Sequence, residues 1–190
     1  MVVTVDPSGR FAYVVNLSSN DVSAFAINDT TGALTVVPGS PFAAGTTPRA
    51  IVVEASGRFA YVENRLSNNV SMFAINGTTG ALTAMGSVGV GADPRAIAAD
   101  PSGRFLYVAN HGTNNVSAFA IDSTTGILTA VPGSPFAVGT QPIFISVDAG
   151  GQLAYVANLS GNTISAFTIN GTTGALTPLA TAPTVGTRSG

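Results

Sequence analysis

The chain has no cysteine and no tryptophan, a single histidine, and no lysine, since all seven cationic residues are arginine. Without cysteine there are no disulfides, no thiolate metal sites and no cysteine nucleophile. A lone histidine excludes a histidine-rich metal centre. Charged residues make up only 8% of the 190 positions, against about 25% in an average soluble domain. The net charge of −2 supplies no basic field, so a nucleic-acid partner is not expected. No stretch reaches the ~18 uninterrupted apolar residues that cross a bilayer, and no membrane span is expected. Ser, Thr, Asn and Gly must supply the polar surface. Such a surface suits an exported protein, so an extracellular, cell-surface or periplasmic location is expected. Met1 runs straight into repeat sequence with no basic leader, which places any export signal upstream.

The sequence is built from one unit repeated four times. Tyr13, Tyr61, Tyr107 and Tyr155 lie 48, 46 and 48 residues apart, within F-A-Y-V-V-N, F-A-Y-V-E-N, F-L-Y-V-A-N and L-A-Y-V-A-N. A V-S-A-F-A-I-like segment follows each, and then a turn of the N-G-T-T-G type. Before three of the four tyrosine segments stands D-P-S-G-R or E-A-S-G-R, and before the fourth D-A-G-G-Q. The alternation and the β-branched and aromatic residues specify strands, and the Pro, Gly, Asn and Asp clusters specify turns. Each repeat therefore holds four short strands, illustrated by 50–53, 59–64, 70–75 and, after the Thr-Thr-Gly turn, 33–37.

A four-stranded antiparallel unit of about 40–50 residues is a propeller blade, and a blade has two apolar faces that only neighbours can cover. The expected fold is an all-β, single-domain β-propeller of four four-stranded antiparallel blades, at about 2–47, 48–93, 94–141 and 142–190. The chain ends at Gly190 with no strand left to clasp the first blade to the last. A closed ring of four, half of a larger ring and an open arc are the alternatives. Exposed terminal blades are expected to drive self-association, into a ring or a filament.

The combined pattern Y-V-x-N, V-S-x-F-x-I, T-T-G-x-L-T, P-G-S-P-F-x-x-G and P-R-A-I resembles the YVTN-type, lactonase-like β-propellers over nearly the whole chain. Relatives of the 6-phosphogluconolactonase type carry Pro-Arg-His and Y-V-x-N-E-L elements. Here the first reads Pro48-Arg49-Ala50 and Pro94-Arg95-Ala96, and the second ends in Asn64-Arg65-Leu66, with Glu63 two residues before the family glutamate position. The resemblance implies the fold and, where the arginines are retained, a sugar-lactone hydrolase. The missing histidine and displaced glutamate point away from catalysis.

Turns of a propeller sort onto two faces. The D-P-S-G-R and N-G-T-T-G turns share one and hardly vary, as scaffold should. The second–third turns and the links between blades share the other, where Arg49, Glu63, Arg65, Asp93, Arg95 and His111 gather from repeats two and three. That cluster is the candidate ligand face, with arginines as bidentate donors for an anion or polar ligand. The plainer reading, a solvated face whose charges aid solubility, takes precedence over it. His111 has no orienting carboxylate in its own repeat. Asp6, Glu54, Asp100 and Asp148 are expected to cap turns and to pair with Arg10, Arg58 and Arg104. The seven Asn-x-Ser/Thr sequons recur with the turns and are read as turn chemistry. No catalytic residue, metal or cofactor is assigned. The leading functional expectation is a non-enzymatic structural or interaction module that self-assembles or binds a protein or glycan, and the alternative is the lactone hydrolase.

Overall fold

A computed structural model describes residues 2–179; the end of the fourth repeat, as far as Gly190, lies outside them. The described residues contain strands and turns and no helix, and so no helix able to cross a membrane. Four antiparallel sheets follow one another along the chain. The first holds β1 (Val2–Val5), β2 (Phe11–Asn16), β3 (Asp21–Ile27), β4 (Leu34–Val36) and β5 (Phe42–Ala43). The second holds β6 (Pro48–Val53), β7 (Phe59–Asn64), β8 (Asn69–Ile75) and β9 (Leu82–Gly89). The third is β10 (Pro94–Ala99), β11 (Phe105–Asn110), β12 (Asn115–Ile121), β13 (Leu128–Ala130) and β14 (Phe136–Ala137). The fourth is β15 (Pro142–Val147), β16 (Leu153–Asn158), β17 (Thr163–Ile169) and β18 (Leu176–Pro178).

Strand order within each sheet is sequence order, with the inner strands β1, β6, β10 and β15 beside one another. The expected four-stranded blades are thus present, with one refinement at the outer edge. In the first and third blades Pro-Gly-Ser-Pro interrupts the outer strand, so that β4 and β5 both pair with β3, and β13 and β14 both pair with β12. Proline cannot donate to the ladder. The Ser40 and Ser134 hydroxyls accept the Ala24 and Ala118 amides across the gap, both at 2.9 Å. The second blade lacks those prolines and two residues of the loop, and its β9 runs unbroken for 8 residues.

The core is three seams between successive blades, not one central mass. Phe11, Tyr13 and Val15 of the first blade pack on Ile51, Val62 and Phe73 of the second. Phe59, Tyr61 and Val70 of the second pack on Ile97, Val108 and Phe119 of the third. Phe105, Tyr107 and Val116 then pack on Ile145, Val156 and Phe167 of the fourth. Each seam carries the same lock. The hydroxyls of Tyr13, Tyr61 and Tyr107, all fully buried, donate to the carbonyls of Gly80, Gly126 and Gly174 at 3.0, 2.8 and 2.9 Å. These are the glycines of the next blade's Thr-Thr-Gly turn. Each has positive φ (76°, 72° and 75°), and a Cβ there would lie 2.3 Å from the ring of Phe11, Phe59 or Phe105. Glycine is required for its conformation and for its missing side chain.

The turn acids cap as expected: Asp6, Glu54, Asp100 and Asp148 accept the amides of Phe11, Phe59, Phe105 and Leu153 at 2.8, 3.1, 2.7 and 2.7 Å. The expected ion pairs with Arg10, Arg58 and Arg104 do not form among the described residues. These arginines stack on Phe11, Phe59 and Phe105 at 5.3, 5.3 and 5.2 Å from the ring centroids. Arg10 donates to the Gly77 carbonyl at 2.7 Å and Arg58 to that of Ser123. The carboxylates are already engaged by backbone amides and serine hydroxyls, so the guanidiniums of Arg10 and Arg58 reach over to the next blade, while Arg104 bonds Ser102.

Blades one and four do not cover each other. Val3, Leu34 and Tyr155 are 62%, 58% and 41% exposed, whereas the corresponding Ile51, Leu82 and Tyr107 are 2%, 6% and 0%. The four blades form an open arc. Two substitutions test the lock. Gly126→Ala adds a clash to an unfavourable φ and is expected to cost about 2–5 kcal/mol. Gly9→Ala, with φ of 73° and open space around its Cβ, should cost only about 1–2 kcal/mol. Urea unfolding of the two variants measures the difference, and equal losses would discount the ring contact.

Candidate functional site

The second–third turns and the inter-blade links occupy the face opposite the glycine turns, and they are stitched together by backbone and asparagine. The link residues Thr47, Asp93 and Gln141 have φ of 55°, 49° and 57°, a left-handed conformation costly for non-glycine residues. Each is held there by an asparagine of the preceding blade: Asn20, Asn68 and Asn114 accept their amides at 2.7, 2.9 and 2.8 Å. The next loop then bonds back, as where Arg65 N donates to Thr47 O and His111 N to Asp93 O, both at 3.0 Å.

Directly after each link the inner strand slips register. Arg49, Arg95 and Ile143 are the extra residues of bulges opposite β7, β11 and β16. A bulge re-aims its side chain, and all three line a cavity of about 340 Å³ on the inner strands. Its remaining wall is mainly apolar, from Val2, Ala50, Ile51, Ala96, Ile97, Phe144 and Ile145. A larger hollow of about 460 Å³, beside Asp100, Ser102, Arg104 and Gly150–Gln152, opens on the opposite, scaffold face. It follows from the small residues of the fourth repeat's turn and brings no comparable group of charges together.

Asp93 is the centre of the charge cluster, and every ion pair among the described residues converges on it. Arg65 Nε lies 2.5 Å from Oδ1, Arg95 Nη2 lies 2.9 Å from Oδ2, and His111 Nδ1 lies 2.9 Å from Oδ2. Arg95 Nε also donates to Oδ1, at 3.1 Å. Burial pushes the Asp93 carboxyl up, but the hydrogen bonds from Arg95 and Arg65, and then their charges, outweigh it and hold it well below the usual carboxylate range. The orienting carboxylate that His111 lacks within its repeat thus comes from the link before it. Arg49 makes no ion pair or side-chain hydrogen bond among the described residues. The charged loop residues are half-buried and paired to one another, apart from Arg49, rather than spread over a solvated surface.

Glu63 departs from its expected place on that face. It lies in β7 with its side chain on the side of Phe59 and Tyr61, in the seam toward the third blade, and it is 0% exposed. Its counterparts Val15 and Ala109 are buried apolar residues. Neither carboxylate oxygen has a hydrogen-bond partner. Burial raises its pKa to about 8, against the opposing charges of Arg49, Arg95 and Arg65, while Asp93 adds to the rise. The structure brings Arg65, Asp93, Arg95 and His111 into direct contact, with Arg49 beside the cavity and Glu63 behind it. The residues the sequence reading did not single out are Asn68, which fixes Asp93, and Ile143, which stands where a third arginine would. The bulge that turns these side chains inward has no sequence mark beyond the preceding proline.

A carboxyl whose pKa is raised on folding binds its proton more tightly in the folded state, so stability falls as pH rises from about 4.5 toward about 8. Replacing Glu63 with valine, as at Val15, is expected to remove this slope and to stabilise the protein above pH ~8 by on the order of a few kcal/mol. Melting curves between pH 5 and 9 check it; parallel slopes for both proteins would refute it.

Among solved structures, the chain superimposes on a protein from Bacteroides uniformis described as a candidate 6-phosphogluconolactonase, with a TM-score of 0.87 and 20% identity, covering 96% of this chain and 54% of that one. A Bacteroides fragilis protein of the same description gives a TM-score of 0.84 and 26% identity, covering 97% and 54%. The periplasmic gluconolactonase of Pseudomonas aeruginosa gives 0.86 and 25%, again covering 97% and 54%. The chain therefore spans about half the length of these relatives. No curated protein matches it. The family described as "Lactonase, 7-bladed beta-propeller" matches residues 2–189, and with four blades joined by one repeated lock the chain belongs to that family.

Proposed function

We propose that this chain takes part in binding and hydrolysing an acidic sugar lactone, with Arg49 and Arg95 holding the anionic group in the axial cavity. The observation that carries the reading is Arg49: a half-buried side chain on a bulge, lining a cavity and without a counter-ion among the described residues. Arg95 beside it keeps donor capacity beyond its contacts to Asp93. Guanidinium forks match carboxylate and phosphate oxygens and stabilise charge that develops on an attacked carbonyl.

Opening a lactone needs water to add to the ring carbonyl carbon, the ring C–O bond to break, and the departing ring oxygen to receive a proton. Asp93 Oδ2 lies 2.9 Å from His111 Nδ1, a placement that suits a carboxylate beside a general base and leaves Nε2 to exchange a proton. The reading as a non-enzymatic module rested on missing acid–base groups, and this pair supplies one. Support also comes from the two relatives at 26% and 25% identity, whose descriptions name lactonases. An exported location belongs to the same reading. The Pseudomonas relative is periplasmic by name, and the absence of cysteine and scarcity of charge suit it.

The test is calorimetric and kinetic. D-gluconate should bind, and Arg49→Ala should weaken it about tenfold or more, as loss of a charge-assisted contact does. His111→Ala should lower the hydrolysis of 6-phosphoglucono-δ-lactone, a lactone that carries its own anionic group, about 100-fold while leaving gluconate affinity within a small factor. Absence of gluconate binding by the unaltered protein would refute the proposal.

A further inference from the structure

We propose that Glu63 competes with a bound anion for Arg49, so that anion binding at this site and protonation of Glu63 go together. The inference rests on the anion-binding reading above and assigns a role to a buried acid that caps no turn and is left unused by that reading. Glu63 is completely enclosed between the second and third blades, with both carboxylate oxygens unpartnered. The charged groups that act on it come from every side: Arg49 of β6, Arg65 at the end of β7, Asp93 of the link and Arg95 of β10. His111, after β11, is reached only through Asp93. From β6 and β8 its cross-strand neighbours are Ala50 and Val70, which carry no charge.

Arg65 and Arg95 are already committed to Asp93. Among the described residues, Arg49 is the one cation of this group without such a commitment. A carboxylate in a dry seam needs a counter-charge, whereas a carboxyl does not. Once Glu63 ionises, therefore, Arg49 is its remaining partner, and an anion in the cavity must take that partner away. The coupling is reciprocal: a bound anion makes Glu63 hold its proton more firmly, and loss of the proton weakens the anion. Glu63 touches no ligand in this scheme. It is a positioning residue acting through Arg49.

The sign follows directly. Glu63 titrates near pH 8 in the free protein, so affinity should hold steady below that value and fall above it, with proton uptake on binding. The experiment is titration calorimetry with D-gluconate, whose carboxylate does not titrate in this range, from pH 6.5 to 9.5 in two buffers of different ionisation enthalpy. Wild type is expected to lose about fivefold to tenfold in affinity across the range and to take up roughly half a proton per anion just above pH 8. Glu63→Gln is expected to bind independently of pH with no proton uptake. Glu63→Ala, the residue found at Ala109 and Ala157, should do the same and serves if the glutamine variant does not fold. A flat wild-type profile, or a slope retained in both variants, overturns this proposal and leaves anion binding intact. No binding by any of the proteins at any pH overturns both.

Discussion

The contact on which everything else depends is a tyrosine and a phenylalanine pressed into a glycine turn of the neighbouring blade. It occurs three times, at Tyr13 on Gly80, Tyr61 on Gly126 and Tyr107 on Gly174, each with a phenylalanine ring over the same glycine. One blade buries only one of its faces against each neighbour, so stability accrues seam by seam. The lock fixes both the distance between blades and their angle, because a hydrogen bond sets the depth of the tyrosine and the ring sets its tilt. The arginine that follows each turn acid adds a second tie by stacking on that ring. With the scaffold face so strongly specified, the opposite face is free to differ from blade to blade.

That freedom is concentrated between the second and third blades. The same three structural positions (link residue, bulge residue and loop residue) carry Asp93, Arg95 and His111 there, but Gln141, Ile143 and Leu159 at the next seam. The backbone is equivalent in both, down to the left-handed link residue and its asparagine partner. A repeat architecture thus lets one seam gather charged residues at positions where the next carries uncharged ones. The cost of holding Asp93 in a left-handed conformation is met by Asn68, and the result is a carboxylate shared by Arg65, Arg95 and the His111 ring. Arg65 and Arg95 share that carboxylate, whereas Arg49 makes no ion pair among the described residues.

Much of the fold was legible from residue pattern because each feature is local: turn acids before D-P-S-G, alternation along strands, and glycine at a fixed step after two threonines. The gathering of Arg49, Arg65, Asp93, Arg95 and His111 toward one face, though not that of Glu63, was also legible, since the sorting of turns onto two faces needs only strand count. Its internal arrangement was not. Strand alternation puts Glu63 on the side of Phe59 and Tyr61, yet only the approach of the third blade turns that side into a closed seam. The expected pairing of Arg10, Arg58 and Arg104 with the turn acids failed for a similar reason: each bonds the serine two residues before it, and Arg10 and Arg58 also reach the carbonyls of Gly77 and Ser123 on the next blade.

Residue pattern alone specified the blade and its repeat, because these follow from periods of two along a strand and from turns a few residues long. The packing of one blade on the next settled that each tyrosine locks onto a glycine 65 or 67 residues away, which charges pair, which arginine has no ion pair among the described residues, and that one glutamate sits dry. Those outcomes depend on the distances between residues of different blades, and electrostatics and desolvation vary too steeply with distance for chain order to set them.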